Sequence, residues 1–183
     1  MSNIVAIVGR PNVGKSTLFN RLLERREAIV DSTAGVTRDR HYGKSDWNGV
    51  DFTVIDTGGY DVGSDDIFEE EIRKQVQLAV DEATSIIFMV NVEEGLQDID
   101  HEIYNLLRKA NKPLYLVVNK VDSAKEMLAA TEFYQLGVEK YYTLSSATGS
   151  GTGELLDDLV ADFPTTEYKD PFEGLPKITI AGR

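Results

Sequence analysis

Apolar residues in this chain fall into short continuous runs, separated by segments that keep helical spacing. The first run, Ile4-Val5-Ala6-Ile7-Val8, is β-rich and apolar throughout, as in a strand buried on both faces. After a glycine-rich break, Leu18, Phe19, Leu22 and Leu23 recur at helical spacing. Residues 24–41 keep no period and are rich in Arg, Asp, Thr and Gly. A loop this long inside a compact domain is usually functional or disordered. Residues 42–47 and 50–55 read as strands joined by Asn48-Gly49, a pair tolerant of positive φ and therefore a type I′ hairpin signal.

A flexible stretch, 60–64, leads into a helix running to about Ala83, opened by Asp66 and Glu69 in capping-box spacing. Residues 86–90 form another apolar strand. The next helix carries Ile99, Ile103, Leu106 and Leu107 on one face and stops through Arg108, Lys109, Asn111 and Pro113. A strand at 114–118, a helix over 124–136, a short strand at 141–144 and a helix striped by Leu155, Leu156, Leu159 and Val160 complete the series. Strands alternating with helices predict an α/β fold: a mostly parallel six-stranded sheet with one antiparallel edge strand and helices on both faces. Ligands in such folds bind beyond the carboxyl ends of the strands. The polar loops that follow strands here should therefore share one rim.

The first of these loops fits G-x-x-x-x-G-K-[ST]. It runs Gly9-Arg10-Pro11-Asn12-Val13-Gly14-Lys15-Ser16, between a strand and a helix. Its backbone N–H groups converge and the helix N-terminus adds positive potential, so Gly9, Asn12, Val13, Gly14, Lys15, Ser16 and Thr17 form a candidate phosphate cradle. Lys15 would reach the β- and γ-phosphates and the Ser16 hydroxyl would ligate Mg²⁺. This loop does not distinguish ATP from GTP.

Asp56-Thr57-Gly58-Gly59 fits D-x-x-G; Asp56 could hold Mg²⁺, and the Gly59 N–H could meet a γ-phosphate. The base is decided by Asn119-Lys120-Val121-Asp122. Guanine presents two adjacent donors, N1–H and its exocyclic amine, that one carboxylate accepts together; adenine presents an acceptor at N1. Asp122 would take those donors, Asn119 would tie the loop to the P-loop, and the Lys120 stem would lie over the base. Ser145-Ser146-Ala147 suits a loop whose N–H groups approach the guanine oxygen. In the long loop, Thr37 could supply a second hydroxyl to Mg²⁺ and a backbone N–H to the γ-phosphate, which places it with Lys15 and Gly59 among the catalytic candidates. Arg21, Arg25, Arg26, Arg38, Arg40 and Lys44 make this region locally basic, read first as a solvated helix end and Arg-rich turn and alternatively as an RNA contact.

Composition narrows the partners. A net charge of −12 argues against nucleic-acid binding through the overall field, so no DNA partner is expected and any RNA contact needs a local patch. The chain has no cysteine, which excludes thiolate metal sites and fits a cytoplasmic setting. No signal peptide is read at the N-terminus, and no apolar stretch approaches the ~20 residues of a membrane span.

Taken in order, the five motifs resemble the translation-factor branch of Ras-like GTPases over almost the whole chain. The P-loop is similar to that of the bacterial Era, Der and MnmE group. Gly35-Val36-Thr37-Arg38-Asp39 with Asp56-Thr57-Gly58-Gly59 resembles the Der (EngA) family within it. The resemblance implies a GTP- and GDP-binding, Mg²⁺-dependent GTPase of Ras-like P-loop fold, acting as a switch in assembly of the large ribosomal subunit. The alternative is an Era- or MnmE-like role on RNA or in tRNA modification. It also implies that Asn12 helps to bind K⁺ between the phosphates, since Tyr60 stands where Ras-like enzymes carry a water-orienting Gln. Ala34 departs from the Pro usual in Der proteins. Lys177-Ile178-Thr179-Ile180-Ala181-Gly182-Arg183 echoes residues 4–10, so the expected organisation is a GTPase domain over 1–164, a linker over 165–176 and the first strand of a second GTPase domain at 177–183.

Overall fold

The computed structural model describes residues 3–24, 41–58 and 65–164. Among these residues, six strands form one sheet in the order β2-β3-β1-β4-β5-β6. They are β1 (Ile4–Val8), β2 (His41–Trp47), β3 (Val50–Asp56), β4 (Ser85–Asn91), β5 (Leu114–Asn119) and β6 (Tyr141–Thr143). Only the β2–β3 pair is antiparallel. The expected hairpin is present: Asn48 and Gly49 take φ values of 50° and 79°, the left-handed pair a type I′ turn requires.

Helices α1 (Lys15–Glu24), α2 (Asp65–Glu82), α3 (Asp98–Arg108), α4 (Ala124–Ala129) and α5 (Thr152–Ala161) flank the sheet. Its alternating side chains divide the core in two. Ala6, Val8, Ile86, Phe88, Val90 and Leu116 pack with Val76, Val80, Ile103 and Leu107 of α2 and α3. Val5, Ile7, Ile87, Met89 and Val117 pack with Leu18, Leu22, Leu155 and Leu159 of α1 and α5 on the other face. Every residue of β4 is buried, which explains its unbroken apolar run. Phe88, fully enclosed, would cost about 3–5 kcal/mol if cut to alanine.

The helix expected over 124–136 divides. Its start is a capping box, with Ser123 Oγ accepting from the Glu126 N–H and the Glu126 carboxylate accepting from the Ser123 N–H. After Ala129 the backbone tightens into a 3₁₀ segment, Ala130–Leu136, where the Thr131 hydroxyl donates to the Leu128 carbonyl at 2.7 Å and competes with the α-helical ladder. Gly137, at φ 76°, ends it. The last strand stops at Thr143, one residue before its expected end. The helix with Ile103 and Leu107 buried ends as expected, with Asn111 left-handed at φ 51°. The long loop around Thr37, the residues Gly59 and Tyr60, and the segments 165–176 and 177–183 lie outside the described residues.

Candidate functional site

Register brings the loops together. Ile7 lies opposite Asp56 in the β1–β3 pair, and Asn91 opposite Asn119 in the β4–β5 pair, so these strands end on one edge of the sheet. The P-loop, Asp56-Thr57-Gly58, Asn119–Asp122 and Ser145–Ala147 all leave that edge.

Gly9 and Gly14 have φ values of 152° and 104°. A Cβ on Gly9 would strike the Met89 carbonyl oxygen of β4, and one on Gly14 would strike the Asn119 side-chain amide. Both glycines therefore serve packing against the neighbouring strand ends as well as an open cradle. Asn12 is itself left-handed, at φ 63°, and exposed at the loop tip. Val13 is buried, while Ser16 and Thr17 at the start of α1 are exposed.

Lys15 is buried and its ammonium donates to the Arg10 carbonyl at 2.8 Å. Burial pushes its pKa down to about 8, against the opposing pull of Asp56, with Arg10 adding to the depression. Gly58 sits where Lys15, Ser16 and Asp56 converge: a Cβ there would lie 3.0 Å from Asp56 Oδ1, 3.1 Å from Ser16 Oγ and 3.3 Å from Lys15 Cε. Asp56 is 1% exposed. One of its oxygens accepts from the Gly58 N–H at 2.8 Å, and the other, Oδ2, is buried without a partner among the described residues. A buried carboxylate with one oxygen in that condition, on a side chain that converges with the Ser16 hydroxyl at Gly58, fits a hard cation with oxygen ligands such as Mg²⁺. Thr57 fixes the turn by donating its hydroxyl to the Ile7 carbonyl at 2.8 Å.

Asn119 connects three loops. Its Nδ2 donates to the Val13 carbonyl at 2.7 Å, and its Oδ1 accepts from both the N–H and the hydroxyl of Ser146, each at 2.9 Å. Lys120 follows at φ 65°, its ammonium 2.9 Å from the Glu93 carboxylate. The Asp122 side chain is exposed beyond it. Ser145 is buried, and its hydroxyl accepts from the Thr148 N–H at 3.3 Å. Ala147 is exposed.

Two arginines in this site carry roles that the sequence reading missed. Arg10, buried within the P-loop, places Nε 3.1 Å from both oxygens of the fully buried Asp100 and directs its guanidinium to Glu94. Arg10 in turn holds the Glu94 carboxyl below the usual carboxylate range, whereas burial pushes the Asp100 carboxyl up. Arg21, grouped from sequence with a solvated basic region, instead donates Nε to the Ser146 carbonyl at 2.5 Å and Nη2 to the Ala147 carbonyl. No motif spacing flags either pairing, because the partners lie 90 and more than 120 residues away. Of the remaining basic group, Lys44 is exposed on β2, and Arg25, Arg26, Arg38 and Arg40 lie outside the described residues.

Residues 4–120 match the family model described as 50S ribosome-binding GTPase. The chain belongs to this family. It is 62% identical over all 183 residues to GTPase Der of Christiangramia forsetii and 63% identical to GTPase Der of Flavobacterium johnsoniae. The chain spans 42% of each, and the resemblance to Der drawn from its motifs is borne out. Among solved structures of this GTPase fold, a variant of Aquifex aeolicus Era bound to GDP·AlF₄⁻ superposes with a TM-score of 0.72 at 32% identity, covering 91% of this chain and 58% of that one. The G domain of the T. maritima FeoB iron transporter superposes with a TM-score of 0.63 at 26% identity, covering 88% of this chain and 98% of that one. Among the described residues no helix is long and apolar enough to cross a membrane.

Proposed function

We propose that this chain binds GTP and GDP and hydrolyses GTP to GDP and phosphate. The observation that carries the reading is the Asn119 side chain, which joins the phosphate loop at Val13 to the base-side loop at Ser146. A phosphate site and a base site so coupled suit a nucleoside phosphate spanning both. Asp122 takes the N1–H and amine of guanine. Within Ser145–Gly149, the N–H groups of Ser145, Ser146, Thr148 and Gly149 already have acceptors; Ala147 N–H is left, among the described residues, to meet guanine O6.

Ser16 and Asp56 would hold Mg²⁺, with Thr37 as a further ligand. The bound ion supplies charge neutralisation on the phosphate oxygens. Lys15 would place a second positive charge at the β- and γ-phosphates, and Gly59 and Thr37 are assigned to the γ-phosphate through their backbone N–H groups. Asn12 is assigned a K⁺ between the phosphates, which offsets the Tyr60 found in place of a water-orienting Gln. Hydrolysis on this plan rests on positioning and electrostatics.

Assembly of the large ribosomal subunit is the proposed process, in keeping with the family description and with relatives named GTPase Der. Those names do not favour the alternative of an Era- or MnmE-like role. Titration with GDP, GTP and an ATP analogue in Mg²⁺ tests the nucleotide reading: guanine nucleotides should bind at least about 100-fold more tightly. Equal affinities would overturn it. Turnover should rise when large ribosomal subunits are added.

A further inference from the structure

We propose that Arg21 is a positioning residue for guanine readout, acting through the peptide that joins Ser146 to Ala147. The inference rests on the guanine-binding reading above. Arg21 Nε holds the Ser146 carbonyl at 2.5 Å, and Nη2 holds the Ala147 carbonyl. The Ser146 carbonyl and the Ala147 N–H belong to one planar peptide unit, and no peptide bond described is cis. In a trans peptide these two groups point in opposite directions. Fixing the carbonyl toward α1 therefore turns the Ala147 N–H away from α1 and fixes its direction. The second carbonyl does the same for the following peptide, whose Thr148 N–H points to Ser145 Oγ at 3.3 Å.

The loop is shaped to receive the guanidinium. Gly149 is left-handed at φ 86°, and a Cβ there would come within 2.9 Å of the Arg21 guanidinium. On the far side, Asn119 Oδ1 accepts the Ser146 N–H, so the residue before Ala147 is held from both directions. Arg21 lies on the helix that begins at the phosphate loop. The same helix thus opens at the phosphates and, nearly two turns on, sets the donor that reads the base.

The test compares three diphosphates by calorimetry or by displacement of a fluorescent GDP. GDP offers O6, N1–H and the amine; 6-thio-GDP replaces O6 with a larger, weaker acceptor; IDP keeps O6 and N1–H but lacks the amine. The wild-type chain should prefer GDP to 6-thio-GDP by about tenfold, the scale of one well-directed hydrogen bond. Arg21→Ala should reduce that ratio to about two- or threefold while the GDP-to-IDP ratio, set by Asp122, persists. Arg21→Lys, which retains a single donor site, should fall between them, and it carries the test if Arg21→Ala does not fold by circular dichroism. Arg21 variants that weaken all three ligands equally would overturn the inference, as would a wild-type chain that prefers GDP to IDP but does not discriminate 6-thio-GDP. A wild-type chain that does not distinguish GDP from IDP would instead overturn the guanine reading.

Discussion

Asn119 Nδ2 donates to the Val13 carbonyl at 2.7 Å, joining the end of β5 to the phosphate loop across 106 residues of sequence. The amide is 2% exposed, and Gly14 has no Cβ because that amide occupies the space one would need. A backbone carbonyl and two Ser146 donors are satisfied by this one side chain.

Asn119→Ala should accordingly damage binding and stability together. It leaves the buried Val13 carbonyl and Ser146 N–H without their partner, at about 1–3 kcal/mol for each group that water does not reach. GDP affinity should fall at least about tenfold. The melting temperature of the nucleotide-free chain should drop by several degrees, given roughly 2–4 °C per kcal/mol for a domain of this size. Calorimetric titration and thermal denaturation of the same preparation check both.

Arg10→Ala should destabilise the fold with a definite pH dependence. Asp100 is fully buried, so removing its cation leaves an uncompensated charge at a cost of about 3 kcal/mol near neutral pH. Burial already pushes the Asp100 carboxyl up, and the loss of Arg10 pushes it further. A carboxyl whose folded pKa exceeds its unfolded value gives stability that is present below the unfolded value and lost as pH rises through the folded one. Glu94 works in the same direction: Arg10 holds it down in the parent, so the parent's advantage there exists above the unfolded pKa and fades in acid. The stability gap between Arg10→Ala and parent should therefore shrink from pH 7 toward pH 4, as urea unfolding at the two pH values would show.

The architecture was legible because each strand is either a short apolar run or half of an Asn48-Gly49 hairpin, and both signals depend on neighbours in sequence. The site was legible to the same extent: the Gly9–Ser16, Asp56–Gly58 and Asn119–Asp122 motifs are contiguous, and parallel β-strand order forces their loops onto one edge. The supports of those motifs were not. Arg10 stands at a position its motif leaves open, and Arg21 read as a solvated cation, because Asp100 comes beside Arg10 only once β4 pairs with β1, and the Ser146 carbonyl meets Arg21 only once the loop after β6 lies against α1. The division of the 124–136 helix also escaped, since apolar residues at 130, 133 and 136 fit a 3₁₀ repeat as readily as an α-helical face.

Asp122→Asn should exchange guanine for xanthine. A carboxylate there would accept two donors from guanine; an amide at the same place offers an N–H₂, which suits the carbonyl that xanthine carries instead of the amine. GTP affinity should fall by about 100-fold or more and XTP affinity should rise, as competition titrations with the two nucleotides would reveal. A variant that retained full GTP preference would remove Asp122 from the base site.

Turnover should be faster in KCl than in NaCl at equal ionic strength. Asn12 is exposed and left-handed at the loop tip, a placement from which its side-chain oxygen could join phosphate oxygens around a large monovalent ion. Phosphate release measured in the two salts decides it, and equal rates would remove Asn12 from ion binding. Asn12→Ala should lose any K⁺ stimulation.

Asp56 buries one carboxylate oxygen that has no hydrogen-bond partner among the described residues. A buried carboxylate oxygen without a donor costs the folded chain several kcal/mol of lost hydration unless a cation approaches it. Lys15 is close enough to feel Asp56, but its ammonium donates to the Arg10 carbonyl, which leaves Oδ2 without a donor among the described residues on a carboxylate that meets the Ser16 hydroxyl at Gly58. Mg²⁺ with a bound triphosphate would relieve that cost, which predicts thermodynamic coupling between the ion and the nucleotide. A non-hydrolysable GTP analogue should therefore bind the parent at least about tenfold more tightly in Mg²⁺ than in EDTA. Asp56→Asn removes the charge that repays the ion for losing its water, so the Mg²⁺ increment should fall below about threefold. The same increment measured for Ser16→Ala should also shrink, because the hydroxyl beside Gly58 is a second protein oxygen assigned to the ion. Retention of the full increment in both variants would remove Asp56 and Ser16 from the ion.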